Sequence, residues 1–417
     1  MKIGITGATG CVDFGDYAML VNNMHHIQDE NDGVEFAVFT YNQGNARSAI
    51  EENYNAKNYS LFDDPLALMG SSYGNLPNSE IDDEARVMYT RKWDALFQMY
   101  ANGENVEELA ALTEQIRECD ILIFNGGGYL NKNWLFRIYA FLLMIVIAKR
   151  ENVKVVMFPQ TYGPFDDASL DSIKQIFPLV DRFYCRDRIY SKQVLLSLGV
   201  EESRISHTMD DLFLLSSALT AGKVGAVKDT LFVQLHRQMR DQIPNIVEGF
   251  AELMVALKEE GLINRVVFVP FHHSPDNELK LANEISTRIA DVIDCEVLMP
   301  TWSVSSIVDQ LLRAKAVLCS RYHPLVVALR HSVPVVNILA ADNNGEYEYY
   351  QAKNRGICEY AGVAAEEVCI QSNANDLMES IHQMLKQNII HPKGISLERL
   401  DEVEQERVEL WSYLAES

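Results

Sequence analysis

Apolar residues in this chain follow two patterns. Short β-rich runs alternate with longer stretches in which apolar positions recur at helical spacing, and that alternation predicts parallel strands joined by crossover helices. In the first half the runs are Lys2–Thr6, Glu35–Thr40, Cys119–Phe124, Lys154–Pro159 and Arg182–Cys185. In the second they are Thr230–Leu235, Arg265–Phe271, Cys295–Met299, Ala316–Ser320 and Val333–Leu339, with helices such as Asn245–Lys258 and Val304–Arg313 between. Tyr17–Ile27 places Leu20, Val21, Met24 and Ile27 on one helical face. Glu84–Met99 does the same with Val87, Met88, Leu96 and Phe97, and both faces are expected to pack on the sheet. Phe136–Ala148 is apolar for about 13 residues against the roughly 20 needed to span a bilayer, which predicts a helix under a sheet. Asn42–Asp82 is polar and rich in Asn, Ser, Gly and Pro, the mark of a long irregular excursion.

The fold class that follows is α/β, with two Rossmann-like domains facing across a cleft and ligand-bearing loops at the carboxyl ends of the strands. We place the N-terminal domain at 1–215, a linker at 216–228 where small residues take over, the C-terminal domain at 229–390, and a final helix at 391–417 that crosses back.

A formal charge of -23 excludes nucleic acid and anionic membrane as partners, because such binding draws on surplus Lys and Arg. An anionic ligand would need a local cluster of cations, which directs attention to arginines in loops. The seven cysteines lack the spacing of a disulfide framework or a zinc site. They predict free thiols in a reducing cytoplasm. The N-terminus has no secretory signal pattern, and no segment is long enough to be transmembrane.

Candidate chemistry gathers at predicted strand ends. Gly4 to Gly10 invites a dinucleotide reading, but acidic Asp13 and Asp16 stand where a pyrophosphate would lie, and a tight strand-to-helix loop is preferred. Asn125, Gly126, Gly127 and Gly128 end a strand and offer either a backbone cradle or a turn needing positive φ. Gln160, within Pro159 to Phe165, follows the next strand. Arg186 closes another and suits bidentate capture of carboxylate or phosphate unless Asp187 or a neighbour pairs with it. His236 and Arg237, then His272 and His273, follow strands of the second half. Ser320-Arg321-Tyr322-His323-Pro324 is the most informative segment: a strand ends, a helix from Leu325 to Arg330 follows, and an arginine and a histidine sit between. Neither His272-His273 nor Asp210-Asp211 has the further ligands a metal needs, so no metal is expected.

These segments, in this order, resemble the polysaccharide pyruvyltransferase family. The matching pieces are Gly15-Asp16 with Ala18, Asn125 to Gly128, Pro159-Gln160 with Gly163-Pro164, Cys185-Arg186-Asp187 with Ser191, Asp210, and Ser320-Arg321-Tyr322-His323 followed by Ala328, Pro334 and Val335, with Tyr350 and Lys353 later. The resemblance implies a fold like GT-B glycosyltransferases, a cytoplasmic setting, and transfer of an enolpyruvyl unit from phosphoenolpyruvate to a sugar or lipid-linked saccharide as a pyruvate ketal in cell-surface or exopolysaccharide synthesis. No cofactor is implied beyond that donor. Arg186, Arg237, Arg321 and Lys353 would hold it, with Asn125, Gly127, Gly128, Gln160 and His273 lining the substrates. His323 would be general acid or phosphate partner, and Asp16 base or hydroxyl-orienting group. Two residues depart from the family pattern: Asp13 stands where Asn is usual, which bears on ligand contacts in the first loop, and His236 stands where a small residue is common. The alternatives are a GT-B glycosyltransferase using a nucleotide sugar, with an acidic ribose-binding residue sought between Asp342 and Tyr350, and a non-catalytic family member.

Overall fold

Thirteen parallel strands form two sheets in the computed structural model, which describes residues 1–68, 83–104, 106–220, 229–273, 278–341 and 345–415. The first contains β1 (Lys2–Thr6), β2 (Glu35–Thr40), β3 (Tyr59–Asp63), β4 (Ile121–Phe124), β5 (Lys154–Gln160), β6 (Arg182–Cys185) and β7 (Ile205–His207) in the order β3-β2-β1-β4-β5-β6-β7. The second contains β8 (Thr230–Gln234), β9 (Arg265–Phe268), β10 (Asp294–Val297), β11 (Ala316–Cys319), β12 (Val335–Leu339) and β13 (Cys369–Gln371) in the order β10-β9-β8-β11-β12-β13. In each sheet the strands run outward from a central parallel pair, and the order in which they are added reverses at β1/β4 and at β8/β11. Those switch points are where an open α/β sheet leaves a crevice for ligands at its carboxyl edge.

Continuous apolar runs explain the central strands. Every residue of β4, β8, β11 and β12 is buried, as expected for parallel strands covered on both faces. Two separate cores result. One centres on Phe124, Phe141, Met157 and Phe183, the other on Leu231, Phe250, Leu318 and Ile338. Helix Leu135–Arg150 packs on β5 and buries almost its entire circumference.

The chain divides into two compact units, the first made of 1–11, 16–211 and 405–417, the second of 12–15 and 212–404. The final helix, Leu397–Ala415, therefore contributes its last residues to unit 1. More unexpected is the short segment Val12–Gly15, which follows β1 yet takes its contacts from unit 2.

Two expectations are corrected. Residues 42–68 are mostly secondary structure, with helix Gln43–Asn53 capped by the Asn42 side chain, β3 as an edge strand and a short helix Pro65–Leu68; the rest of the predicted excursion, 69–82, lies outside the described residues. In helix Asp83–Ala101, Val87 and Met88 are 48% and 56% exposed while Trp93, Phe97 and Tyr100 are buried. The main partner of this helix is helix Leu135–Arg150 and not the sheet, so its apolar face is set by a neighbouring helix. Residues 221–228 of the predicted linker and Asp342 also lie outside the described residues. All seven cysteines are free thiols. Among the described residues no helix is long and apolar enough to cross a membrane.

Candidate functional site

The switch point of unit 2 is built from side chains that pin backbone. Gln234 ends β8 and is 1% exposed; its Oε1 accepts the Arg321 N–H at 3.0 Å, and its Nε2 has no hydrogen-bond partner among the described residues. Ser320 Oγ accepts the His236 N–H at 2.6 Å, and Asn337 of β12 donates to the Arg321 carbonyl at 2.8 Å. Arg321 is thereby fixed in extended conformation as N-cap of helix Tyr322–Arg330. His323 lies inside the first turn, 8% exposed, and not before the helix as the sequence suggested. Pro324, also in the first turn, has no amide hydrogen to waste there.

Arg321 meets two carboxylates. Nη1 pairs with Asp13, and Nε donates to Glu278 at 2.5 Å. Glu278 is 2% exposed and also accepts the Phe271 N–H at 2.6 Å. The two acids shift in opposite directions around one guanidinium. For Glu278, burial outweighs Arg321 and raises its pKa. For Asp13, burial also pushes upward but Arg321, then His272 and His323, hold the carboxyl below its ordinary range.

Asp13 reaches this place because Val12–Gly15 docks as an antiparallel bridge, Asp13 opposite His272. Phe14 N–H donates to the Phe271 carbonyl at 2.9 Å, His273 N–H to the Val12 carbonyl at 3.2 Å, and the Phe14 and Phe271 rings lie 4.4 Å apart. Gly15 completes the fit. A Cβ there would overlap the His323 imidazole, so only glycine allows the backbone to lie against that ring.

Burial first, then Arg321 and Arg237, lowers the pKa of His236 well below its ordinary value and that of His272 to about 4. Burial lowers His273 as well, and its ring stacks on Trp302 at 3.8 Å. These imidazoles are neutral near pH 7 and serve as hydrogen-bonding groups, not cations. Arg237 is exposed on the loop after β8 and acts on the same two histidines as Arg321. Lys353 Nζ lies 4.3 Å from the centre of the Tyr322 ring. Unit 2 thus brings together Arg237, Arg321, His273 and His323, with Lys353 attached through Tyr322.

Unit 1 holds the other predicted residues, and several have structural employment. Arg186 has no exposure: Nε donates to Thr161 Oγ1 at 2.9 Å and Nη1 to Asp210 at 2.7 Å, with Asp210 equally buried. Asp187 does not pair with it but accepts the backbone and hydroxyl hydrogens of Ser191, starting the next helix. The glycines after β4 are not a turn needing positive φ. Gly126 and Gly127 lack positive φ, and a Cβ would strike the Asp211 carboxylate at the first and the Tyr129 ring at the second. Gly128 offers its carbonyl to Asn131 at 2.7 Å. Gln160 Nε2 spans the Phe124 and Asn125 carbonyls at 3.3 and 3.2 Å, and Asn125 Oδ1 accepts from Asn23 at 2.7 Å. Asn125 Nδ2 and Gln160 Oε1 are buried without hydrogen-bond partners among the described residues. Asp16 is half-buried in the first turn of helix Phe14–Glu30.

Sequence reasoning missed Glu278, Gln234 and Arg137. Arg137 is 3% exposed, with its guanidinium 5.3 Å from the Tyr41 ring and 4.8 Å from the Trp134 ring. Burial opposes its charge, yet Tyr41, Cys11 and Asp16 raise its pKa. Its signal was visible: one arginine inside an apolar helical run demands partners. Among the described residues no group of three or more His, Cys, Asp or Glu could hold a metal ion.

A family model for polysaccharide pyruvyl transferases matches residues 13–343. Among solved structures, the UDP-GlcNAc 2-epimerase from Neisseria meningitidis bound to UDP-GlcNAc aligns with a TM-score of 0.54 at 10% identity, over 100% of this chain and 100% of that one. The Methanocaldococcus jannaschii UDP-GlcNAc 2-epimerase in complex with UDP-GlcNAc and UDP gives 0.53 at 13% identity, over 99% and 100%. Phytolacca americana UGT2 complexed with UDP-2fluoro-glucose and pterostilbene gives 0.51 at 11%, over 99% and 93%. Identities this low speak to fold alone, a two-domain α/β fold of GT-B type. No curated protein matches the sequence significantly.

Proposed function

Since the chain belongs to the polysaccharide pyruvyl transferase family, we propose that it transfers the enolpyruvyl group of phosphoenolpyruvate to a sugar of a cell-surface or exopolysaccharide, leaving a pyruvate ketal. Family membership makes it a transferase with a sugar acceptor. The observation that carries the donor assignment is Arg321 as N-cap, with His323 in the first turn, at the switch point of unit 2. A helix N-terminus and a guanidinium both favour an anion, and Arg237 adds a second positive charge nearby.

In the proposed reaction the methylene carbon of the donor takes a proton and the central carbon becomes oxocarbenium-like. One sugar hydroxyl attacks it, the carbon–oxygen bond to phosphate breaks, and a second hydroxyl closes the ketal. The two hydroxyls release two protons, of which one balances that taken up by carbon and the other leaves on hydrogen phosphate. His323 is the proposed general acid or phosphate partner, and Asp16 the proposed base or hydroxyl-orienting group. Arg186 is left out of this scheme because its side chain has no exposure to a ligand, whereas that of Arg321 is 16% exposed. A cytoplasmic setting is part of the proposal and accords with seven free thiols.

His323→Ala tests the assignment. Loss of about a hundredfold or more in pyruvate transfer is the expected scale for a general acid, while turnover within a few-fold of wild type would remove the role. Thermal stabilisation by phosphoenolpyruvate and not by uridine diphosphate separates this reading from a nucleotide-sugar enzyme.

A further inference from the structure

We propose that Asp13 is a built-in counter-anion of the Arg321 site, which an external phosphate or carboxylate must displace in order to bind. The inference rests on the anion-site reading above but not on the identity of the donor.

The two acids on Arg321 are held differently. Glu278 is 2% exposed, projects from helix Glu278–Ile289, and is tied by the Phe271 amide as well as by Arg321 Nε. Asp13 is 19% exposed at its side chain and sits on a short docked loop. It faces Arg321 Nη1, with His272 and His323 acting on it electrostatically. One guanidinium and two imidazoles are the donor set a phosphate or carboxylate ligand would take. Gln234, whose Oε1 holds the Arg321 amide, carries a buried Nε2 that has no hydrogen-bond partner among the described residues. An unsatisfied buried donor on the side chain that fixes Arg321 leaves room for an acceptor. Asp13 is the more exposed acid of this group, and Glu278 the buried one.

Displacement makes a quantitative demand. If a ligand replaces Asp13 at the guanidinium, its affinity is lowered by the strength of the internal pair, by one common factor for every anion. If a ligand binds beside Asp13 instead, a doubly charged anion suffers more repulsion than a singly charged one.

The experiment titrates wild type and Asp13→Asn with inorganic phosphate at fixed ionic strength, and with acetate by competition against phosphate. Asparagine keeps an oxygen able to accept the Gly15 amide, which donates to Asp13 Oδ1 at 3.1 Å; Asp13→Ala serves as second variant and melting curves confirm folding. We expect both anions to bind about tenfold more tightly to the variants, by equal factors, and the gain to vanish in Asp13→Asn/Arg321→Gln. Unchanged or weaker binding overturns the proposal, as does a larger gain for phosphate than for acetate, or a gain that persists without Arg321. Tightened phosphate with no competition from phosphoenolpyruvate upholds the counter-anion and removes the donor reading.

Discussion

Arg186 in unit 1 and Arg321 in unit 2 both sit just beyond the end of a parallel strand, and the contrast between them is instructive. Arg186 is wholly enclosed with one carboxylate and one hydroxyl, so its charge holds β6 to the segment of Asp210. Arg321 is 16% exposed, faces two acids of opposite pKa shift, and stands at a helix N-terminus among imidazoles. The same residue type at the same kind of position is a bolt in one sheet and the centre of a candidate anion site in the other. Burial decides which: Arg186 has no exposure and Arg321 has 16%.

The sharpest break in that comparison is to remove each guanidinium in turn. Arg186→Met leaves Asp210 charged and buried and should cost about 3–5 kcal/mol in chemical denaturation. Arg321→Met likewise leaves the buried Glu278 without its guanidinium and should also lose stability, but here phosphate binding disappears, whereas Arg186→Met keeps it. Loss of phosphate binding in both variants, or in neither, would erase the distinction.

Asp64 sharpens it next, as a buried acid of unit 1 whose Oδ2 has no hydrogen-bond partner among the described residues. Burial raises its pKa from 3.8 to about 7 despite the Ala67 amide and Arg137. The folded state therefore binds this proton more tightly than the unfolded state, and the associated stability is present at low pH and lost as pH rises from about 4 to about 7. Asp64→Asn should gain on wild type across that window, by up to about 4 kcal/mol at pH 8. Parallel stability curves for the two proteins would show that Asp64 titrates normally.

Gly15→Ala tests whether the docked loop sets the position of His323. The added methyl must displace the imidazole, for about 1–3 kcal/mol of stability and a fall in pyruvate transfer; a fully active, equally stable variant would mean that the close approach is incidental. The smallest effect belongs to Lys353→Met, about 0.5–1 kcal/mol from the lost contact with the Tyr322 ring, read by a thermal melt.

Much of the fold was legible because buried parallel strands announce themselves as apolar runs. The strands that escaped, β3, β7 and β13, are short or polar edge ones, Tyr59–Asp63, Ile205–His207 and Cys369–Gln371, none of whose residues is fully buried. At the candidate site the sequence could locate Arg321 and His323 by strand-end position, but not their partners. Asp13 lies 308 positions from Arg321, and no local pattern encodes that pairing. Asp13 did register as a departure from the family's pattern, without any sign that it faces the arginine. Nor could spacing tell that Gly126 is bare for the sake of the Asp211 carboxylate.

That carboxylate has a further consequence. Asp211 is matched by Arg407, 196 positions later, with Asn23 and Asn125 completing the buried cluster. During synthesis, therefore, the first sheet can be assembled long before its interior charge is balanced. A ribosome stalled shortly before residue 400 would display an N-terminal unit with an unanswered acid at its heart, prone to chaperone capture until the closing helix emerges.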